Sequence, residues 1–166
     1  MQFVKLDPAH REALMASLAA MPALVRGAFG GLNVEQSRAP GPGASFSPVE
    51  QVWHLADLER EGFAVRIERL LAERDPHLAH FDGSRVAAAR DYRSRPLHDG
   101  LAAFEDARAR NLAALRALDA ASWLLSGTQE GVGVVSLCDI PGFMAQHDEA
   151  HRLEIDAWLR QRPSTT

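Results

Sequence analysis

The chain has 166 residues, enough for one compact domain spanning 1–166, and its 46% hydrophobic and 24% charged residues are the ordinary balance of a globular protein. A net charge of −4, with acidic residues interleaved among the arginines, leaves no sign of a nucleic-acid surface. The single cysteine, Cys138, excludes an intrachain disulfide and any zinc cluster built on cysteines.

Met1 to Asp7 contains no apolar signal core and no small-residue cleavage site. The longest mostly apolar run, Leu18 to Val25, is interrupted by Pro22 and falls short of the roughly 20 residues that cross a bilayer. A soluble, cytoplasmic protein without membrane or nucleic-acid partners is expected.

Asp7-Pro8 starts a helix, because Asp caps free amides and Pro suits the first position. Leu14, Leu18, Met21 and Val25 then recur at helical spacing. Pro22 removes one hydrogen bond inside this run, which predicts a kink or break. Gly30-Gly31 ends the element. Residues 32–46, with Ala39-Pro40-Gly41-Pro42-Gly43, are expected to form a connecting loop.

Ser47-Pro48-Val49-Glu50 is a second helix start with a capping box. The run from Val52 to Leu58 is apolar nearly all round, so this helix is buried on most sides. It ends near Asp75, before Pro76. Residues 76–95 read as irregular, with a turn at Asp82-Gly83 and a short helix after Ser84.

Pro96 opens a third long helix with Leu97, Leu101, Phe104, Leu115 and Leu118 on its stripe. Arg108 and Asn111 share that stripe. Buried charge needs a partner, so Arg108 either finds one or lays its stem on the core with its head in water. The latter is the simpler expectation, and a contact with an anionic substrate the bolder one. Residues 119–135 form a second long loop, in which Gly131-Val132-Gly133 is turn chemistry or a short extended segment, and not a phosphate loop. The last helix starts at Ser136 or Asp139 and ends before Pro163, with Ser164-Thr165-Thr166 frayed. Four long amphipathic helices and no convincing strand set predict an all-α four-helix bundle with long crossover loops.

The chemistry concentrates in the last helix. His147 and His151 lie one turn apart on the stripe that carries Phe143, Ile155 and Trp158. Two buried imidazoles on one apolar face each need partners on both ring nitrogens, and a shared metal supplies one to each. His54, in the most buried helix, is the third candidate ligand. Three imidazoles with an open position suit Zn²⁺ or Ni²⁺, with Fe²⁺, Co²⁺ and Mn²⁺ possible. Asp57 and Glu50, one turn either side of His54, are candidates to orient its ring, although Glu50 fits the capping box better. Asp148 stands where the glutamate of a zinc protease would, but it is one methylene short and the third ligand lies far upstream. His10, His77, His80 and His98 fall in caps or loops and receive no role.

The segment Phe46-Ser47-Pro48-Val49-Glu50-Gln51-Val52-Trp53-His54-Leu55-Ala56-Asp57-Leu58-Glu59, followed at a matching distance by His147-Asp148-Glu149-Ala150-His151, resembles the DinB-like and YfiT-like metal-binding four-helix proteins. The resemblance covers nearly the whole chain. It implies a four-helix bundle with His54, His147 and His151 as ligands of a divalent metal. It also implies a metal-dependent enzyme acting on a small molecule, foremost a thiol-dependent S-transferase like the mycothiol- and bacillithiol-using members. In such an enzyme the metal would hold a low-molecular-weight thiol as thiolate. The alternatives are a hydrolase using metal-bound water and a non-catalytic metal- or ligand-binding protein. A homodimer is expected by the same analogy.

Overall fold

The computed structural model describes residues 7–161; the Ser-Thr-Thr terminus lies outside them. Helix α1 (Pro8–Phe29) is capped by Asp7, whose side chain accepts from the His10 amide. A short α2 (Val34–Arg38) follows, with Asn33 and Gln36 in a capping box. Helix α3 (Pro48–Asp57) runs through a π-helical turn (Leu58–Phe63) into α4 (Ala64–Ala72), making one long rod. The loop after it holds strand β1 (His77–Leu78) and α5 (Gly83–Arg90), capped by Asp82. Helix α6 (Leu97–Arg116), strands β2 (Ser126–Gln129) and β3 (Gly133–Ser136), and α7 (Ile140–Gln161) complete the chain.

The four rods α1, α3–α4, α6 and α7 form the expected bundle, with α1 packed on α6 and α7, and α3 on α6. Gly100 sets how closely α3 approaches α6: a Cβ there would stand 2.9 Å from Val52 Cγ1 and 3.0 Å from Trp53 Nε1. The Trp53 indole donates to the Pro96 carbonyl at 3.0 Å and so ties the start of α6 to α3.

The expected loop at 32–46 is a connector with α2 inside it, held by the Trp158 indole donating to Ala39 O at 2.9 Å. The long loops also carry three short strands, of which only a short extended segment near Gly131–Gly133 was expected. The strands form a small sheet in which β1 pairs parallel with β2, and β2 antiparallel with β3. Each is too short for its alternation to register as a pattern. Gly131 and Gly133 take positive φ of 75° and 105° in the hairpin turn. A Cβ at Gly127 would sit 2.5 Å from Pro76 O, so β1 can pair only with a bare backbone there. Ser136 caps a short 3₁₀ turn, Leu137–Asp139, that leads into α7, with Asp139 reaching back to the Ser136 amide at 2.7 Å.

Helix α1 corrects two expectations. Its 22 residues have the length and composition to cross a bilayer, contrary to the estimate from the Leu18–Val25 run. In the fold, however, Met15, Leu18, Met21, Val25 and Phe29 are buried against the bundle, with Met15 and not Leu14 opening the stripe. The helix also continues through Pro22, so of the expected kink or break the break does not occur. A proline lacks the N–H that would bond the carbonyl four residues back, here Leu18 O. The Arg108 guanidinium donates to that carbonyl through Nη1 at 2.9 Å. The vacancy in α1 is therefore filled from α6.

The apolar interior falls into two clusters. One gathers Met21, Val25, Phe29, Val52, Phe104 and Trp158 toward one end of the bundle. The other gathers Leu18, Ile67, Leu115, Leu137 and Met144 toward the other. In sequence, the polar positions Glu59, Arg108, Asn111, His147, Asp148 and His151 fall near the changeover between the two sets, and the functional chemistry is found there.

Candidate metal centre

His54 comes from the last turns of α3, and His147 and His151 from the middle of α7. Their rings meet inside the bundle with centroids 5.2 Å (54–147), 5.2 Å (54–151) and 4.5 Å (147–151) apart. One nitrogen from each lies within 4.8 Å of the other two. His54 Nε2 is 3.1 Å from His147 Nε2. Ligand nitrogens at 2.0–2.1 Å from a tetrahedral ion stand about 3.3 Å from each other, so this spacing suits a shared metal. His54 Nδ1 and His151 Nδ1 are buried and make no aligned hydrogen bond. An all-nitrogen set of imidazoles is a borderline-soft donor set fitting a first-row divalent ion.

His54 and His147 are held neutral. Burial, reinforced by the neighbouring His151, brings His54 down to about 4. Burial, with His151, His54 and Arg108 beside it, brings His147 down to about 2. Near pH 7 both therefore offer a lone pair.

Three surroundings were not legible in the sequence. Phe46 and Phe81 flank His54, at 5.6 Å and 6.3 Å between ring centroids. Gly83, first residue of α5, lies flat against the same ring: a Cβ there would come 2.3 Å from His54 Cε1 and 2.6 Å from Nδ1. Glu154 places Oε2 3.2 Å from His151 Nδ1, and this contact holds the Glu154 carboxyl below its usual range. Its place three residues after His151 on one helix was the available signal. Phe81 and Gly83 lie in a long loop, and no local pattern marks them.

The residues expected to orient His54 do other work. Glu50 closes the capping box, accepting from the Ser47 amide at 2.9 Å, and takes Arg93 at 3.1 Å. Asp57 accepts from the Tyr92 hydroxyl and from Arg90, each at 2.6 Å. Arg108 is neither at the rim nor free for substrate. It is 1% exposed. Its two terminal nitrogens donate to both Asp148 oxygens at 2.7 and 2.8 Å, and its Nε to Glu59 at 3.0 Å. Asn111 donates to the Glu59 carboxylate at 2.7 Å and to its carbonyl at 2.9 Å. Asp148 is thereby committed to Arg108, which removes the protease-like role its position suggested.

Fold and site define a helical bundle whose interior brings together three imidazoles suited to one divalent metal ion. The chain belongs to the DinB superfamily, whose profile matches residues 17–155. It is 28% identical over 149 residues, 89% of this chain and 83% of the relative, to a Geobacillus thermodenitrificans (strain NG80-2) protein described as a "putative metal-dependent hydrolase". Its fold is similar to that of YfiT from Bacillus subtilis, described as "a probable metal-dependent hydrolase with an unusual four-helix bundle topology". The TM-score is 0.86 at 19% identity, over 95% of this chain and 90% of the other.

Proposed function

We propose that the protein is a metal-dependent hydrolase of small molecules, with His54, His147 and His151 as the metal ligands and Zn²⁺ or Ni²⁺ as the ion. The observation that carries this reading is the convergence of three imidazole nitrogens within 4.8 Å of one another, two of them 3.1 Å apart. A divalent ion held by these three imidazoles would supply Lewis acidity and would lower the pKa of water. The chain's own residues prepare the site. Burial keeps His54 and His147 unprotonated, so the ligands need not be discharged before binding. Glu154 stands where it can accept the Nδ1 proton of His151 and orient the ring. Phe46 and Phe81 flank His54 with apolar surface. The Asp148–Arg108–Glu59 bridge fixes α7 against α6 and the π-helical turn, and with it the register of His147 and His151.

The thiol-dependent S-transferase suggested by the resemblance would use the same three ligands. The descriptions of both relatives support the hydrolase instead. Metal content of untagged protein should be about one ion per chain and should collapse in the double variant His54→Ala, His147→Ala. Equal metal in both proteins would refute the ligand assignment. The metal-loaded protein should cleave ester, amide or phosphoester probes in a metal-dependent way. Failure on all three classes, together with a spectral change of the Co²⁺ form on adding thiol, would replace the hydrolase by the S-transferase.

A further inference from the structure

Outside the histidine cluster, Gln51, Arg66 and Gln129 each bury a side-chain polar atom without a hydrogen-bond partner, and of these only Arg66 is charged. Arg66 of α4 is 8% exposed, and its Nε is buried without a hydrogen-bond acceptor. Among the described residues no carboxylate pairs with it, and the Phe63 ring lies 5.6 Å from its guanidinium carbon. Burial alone pushes its pKa down, with no opposing charge. A buried lysine can shed its proton, but an arginine cannot. An arginine in this position therefore keeps its charge and calls for an anion.

Arg66 lines a cavity of about 100 Å³ between α4 and residues 78–81, shared with Glu61, Arg69, His80 and Phe81. The other charges there are already balanced. Glu61 is held by Arg90, with Oε1 at 2.7 Å from Nη1 and Oε2 at 3.0 Å from Nη2. Arg69 is clamped by Glu73 at 2.7 and 2.8 Å and donates to His77 O at 2.6 Å. The uncompensated charge is that of Arg66. The volume holds a few waters, or one small charged group, and no drug-sized molecule. A guanidinium favours planar or tetrahedral oxyanions that accept from its fork.

We propose that the Arg66 cavity is an anion site that takes one small oxyanion, a carboxylate or a phosphate group. Phe81 lines it on one side and stands 6.3 Å from the His54 ring on the other, so the site adjoins the metal centre without sharing a ligand with it. It does not depend on the hydrolase reading.

The test uses metal-loaded, ¹⁵N-labelled protein titrated separately with sodium phosphate and sodium acetate, at constant ionic strength balanced with chloride. The Arg66 Nε–H resonance, identified by its loss in Arg66→Met, should shift saturably with at least one of the two anions, and Tm should rise with it. Phosphate alone, acetate alone or both would name the group recognised. Arg66→Met, which replaces an unpaired buried charge by an apolar chain, should fold with a Tm at least that of the wild type in chloride. Its midpoint for the anion should rise at least tenfold. The proposal is overturned if neither anion moves the Arg66 Nε–H signal. It is equally overturned if both proteins gain the same Tm, which would place the anion at the metal or on the surface. The wild-type titration decides the matter even if Arg66→Met does not fold.

Discussion

Adjacent residues on α7 serve opposite ends. Asp148 points to a network in which Arg108 donates to Glu59, Asp148 and Leu18 O, and Asn111 donates to Glu59. His147, one residue earlier, points to a cluster in which His54 Nδ1 is buried without a hydrogen-bond partner and His151 Nδ1 meets only Glu154, at 3.2 Å. Both groups are polar, both are inside the bundle, and both cross between α7 and the α3–α4 rod. The difference is saturation. A satisfied buried network is architecture, because adding a ligand would break bonds already made. A cluster of imidazole nitrogens whose lone pairs are not all taken by protein donors can still accept a ligand.

The largest expected effect comes from breaking the saturated side. Arg108→Met alone strands two buried carboxylates and frees Leu18 O, and should lower unfolding stability by about 3–5 kcal/mol in urea titrations. Replacing Glu59, Arg108 and Asp148 together by apolar residues of similar volume should restore most of that loss. A single-variant cost below about 1 kcal/mol would show that the network is not structural. The next effect is on the open side. His147→Ala should reduce metal affinity by about a hundredfold or more while leaving the metal-free fold cooperative, as read by competition with a chromophoric chelator and by thermal melts. If the fold collapsed instead, the two clusters would not differ as described.

Acid titration sharpens the comparison. His54 and His147 have folded-state pKa values of about 4 and about 2, below the value of 6.5 for the free side chain. Below 6.5 the unfolded chain therefore binds more protons than the native one. Stability of the metal-free protein falls as pH drops below 6.5, by about 1.4 kcal/mol per pH unit for each ring. For His54 the loss levels off near pH 4. Urea midpoints of wild type and His54→Ala between pH 7 and 4 should diverge accordingly; parallel curves would exclude a depressed His54. The smallest effect is steric. Gly83→Ala introduces a Cβ within 2.6 Å of His54 Nδ1, and should weaken metal binding by about tenfold, the low end for residues that orient a ligand, with little change in melting temperature. Unchanged affinity would mean that the α5 backbone does not set the ring's position.

Much of the bundle was legible because helix caps and 3.6-residue periodicity are local properties. Asp7-Pro8, Ser47-Pro48-Glu50 and Ser136 all start elements where their chemistry predicts, while Asp82-Gly83, expected as a turn, caps and opens α5. His147 and His151 were legible for the same reason, since positions four apart on a helix must share a face. The short sheet was not, because β1 has two residues and its partner β2 lies some fifty residues away. The π-helical turn that brings Glu59 inward leaves no local pattern either.

The partners of individual charges lay furthest from reach. Arg108, on an apolar stripe, could be read as needing a partner, but Glu59 and Asp148 lie 49 and 40 residues away. Pro22 looked like a break until the fold placed Arg108 against the carbonyl it frees. The residue pattern by itself determined the helices, their buried faces and the three histidines, because those follow from spacing along one chain. Only the tertiary structure decided which polar groups are already satisfied and which still await a ligand, because hydrogen bonding and desolvation depend on what other segments bring to the same few ångströms.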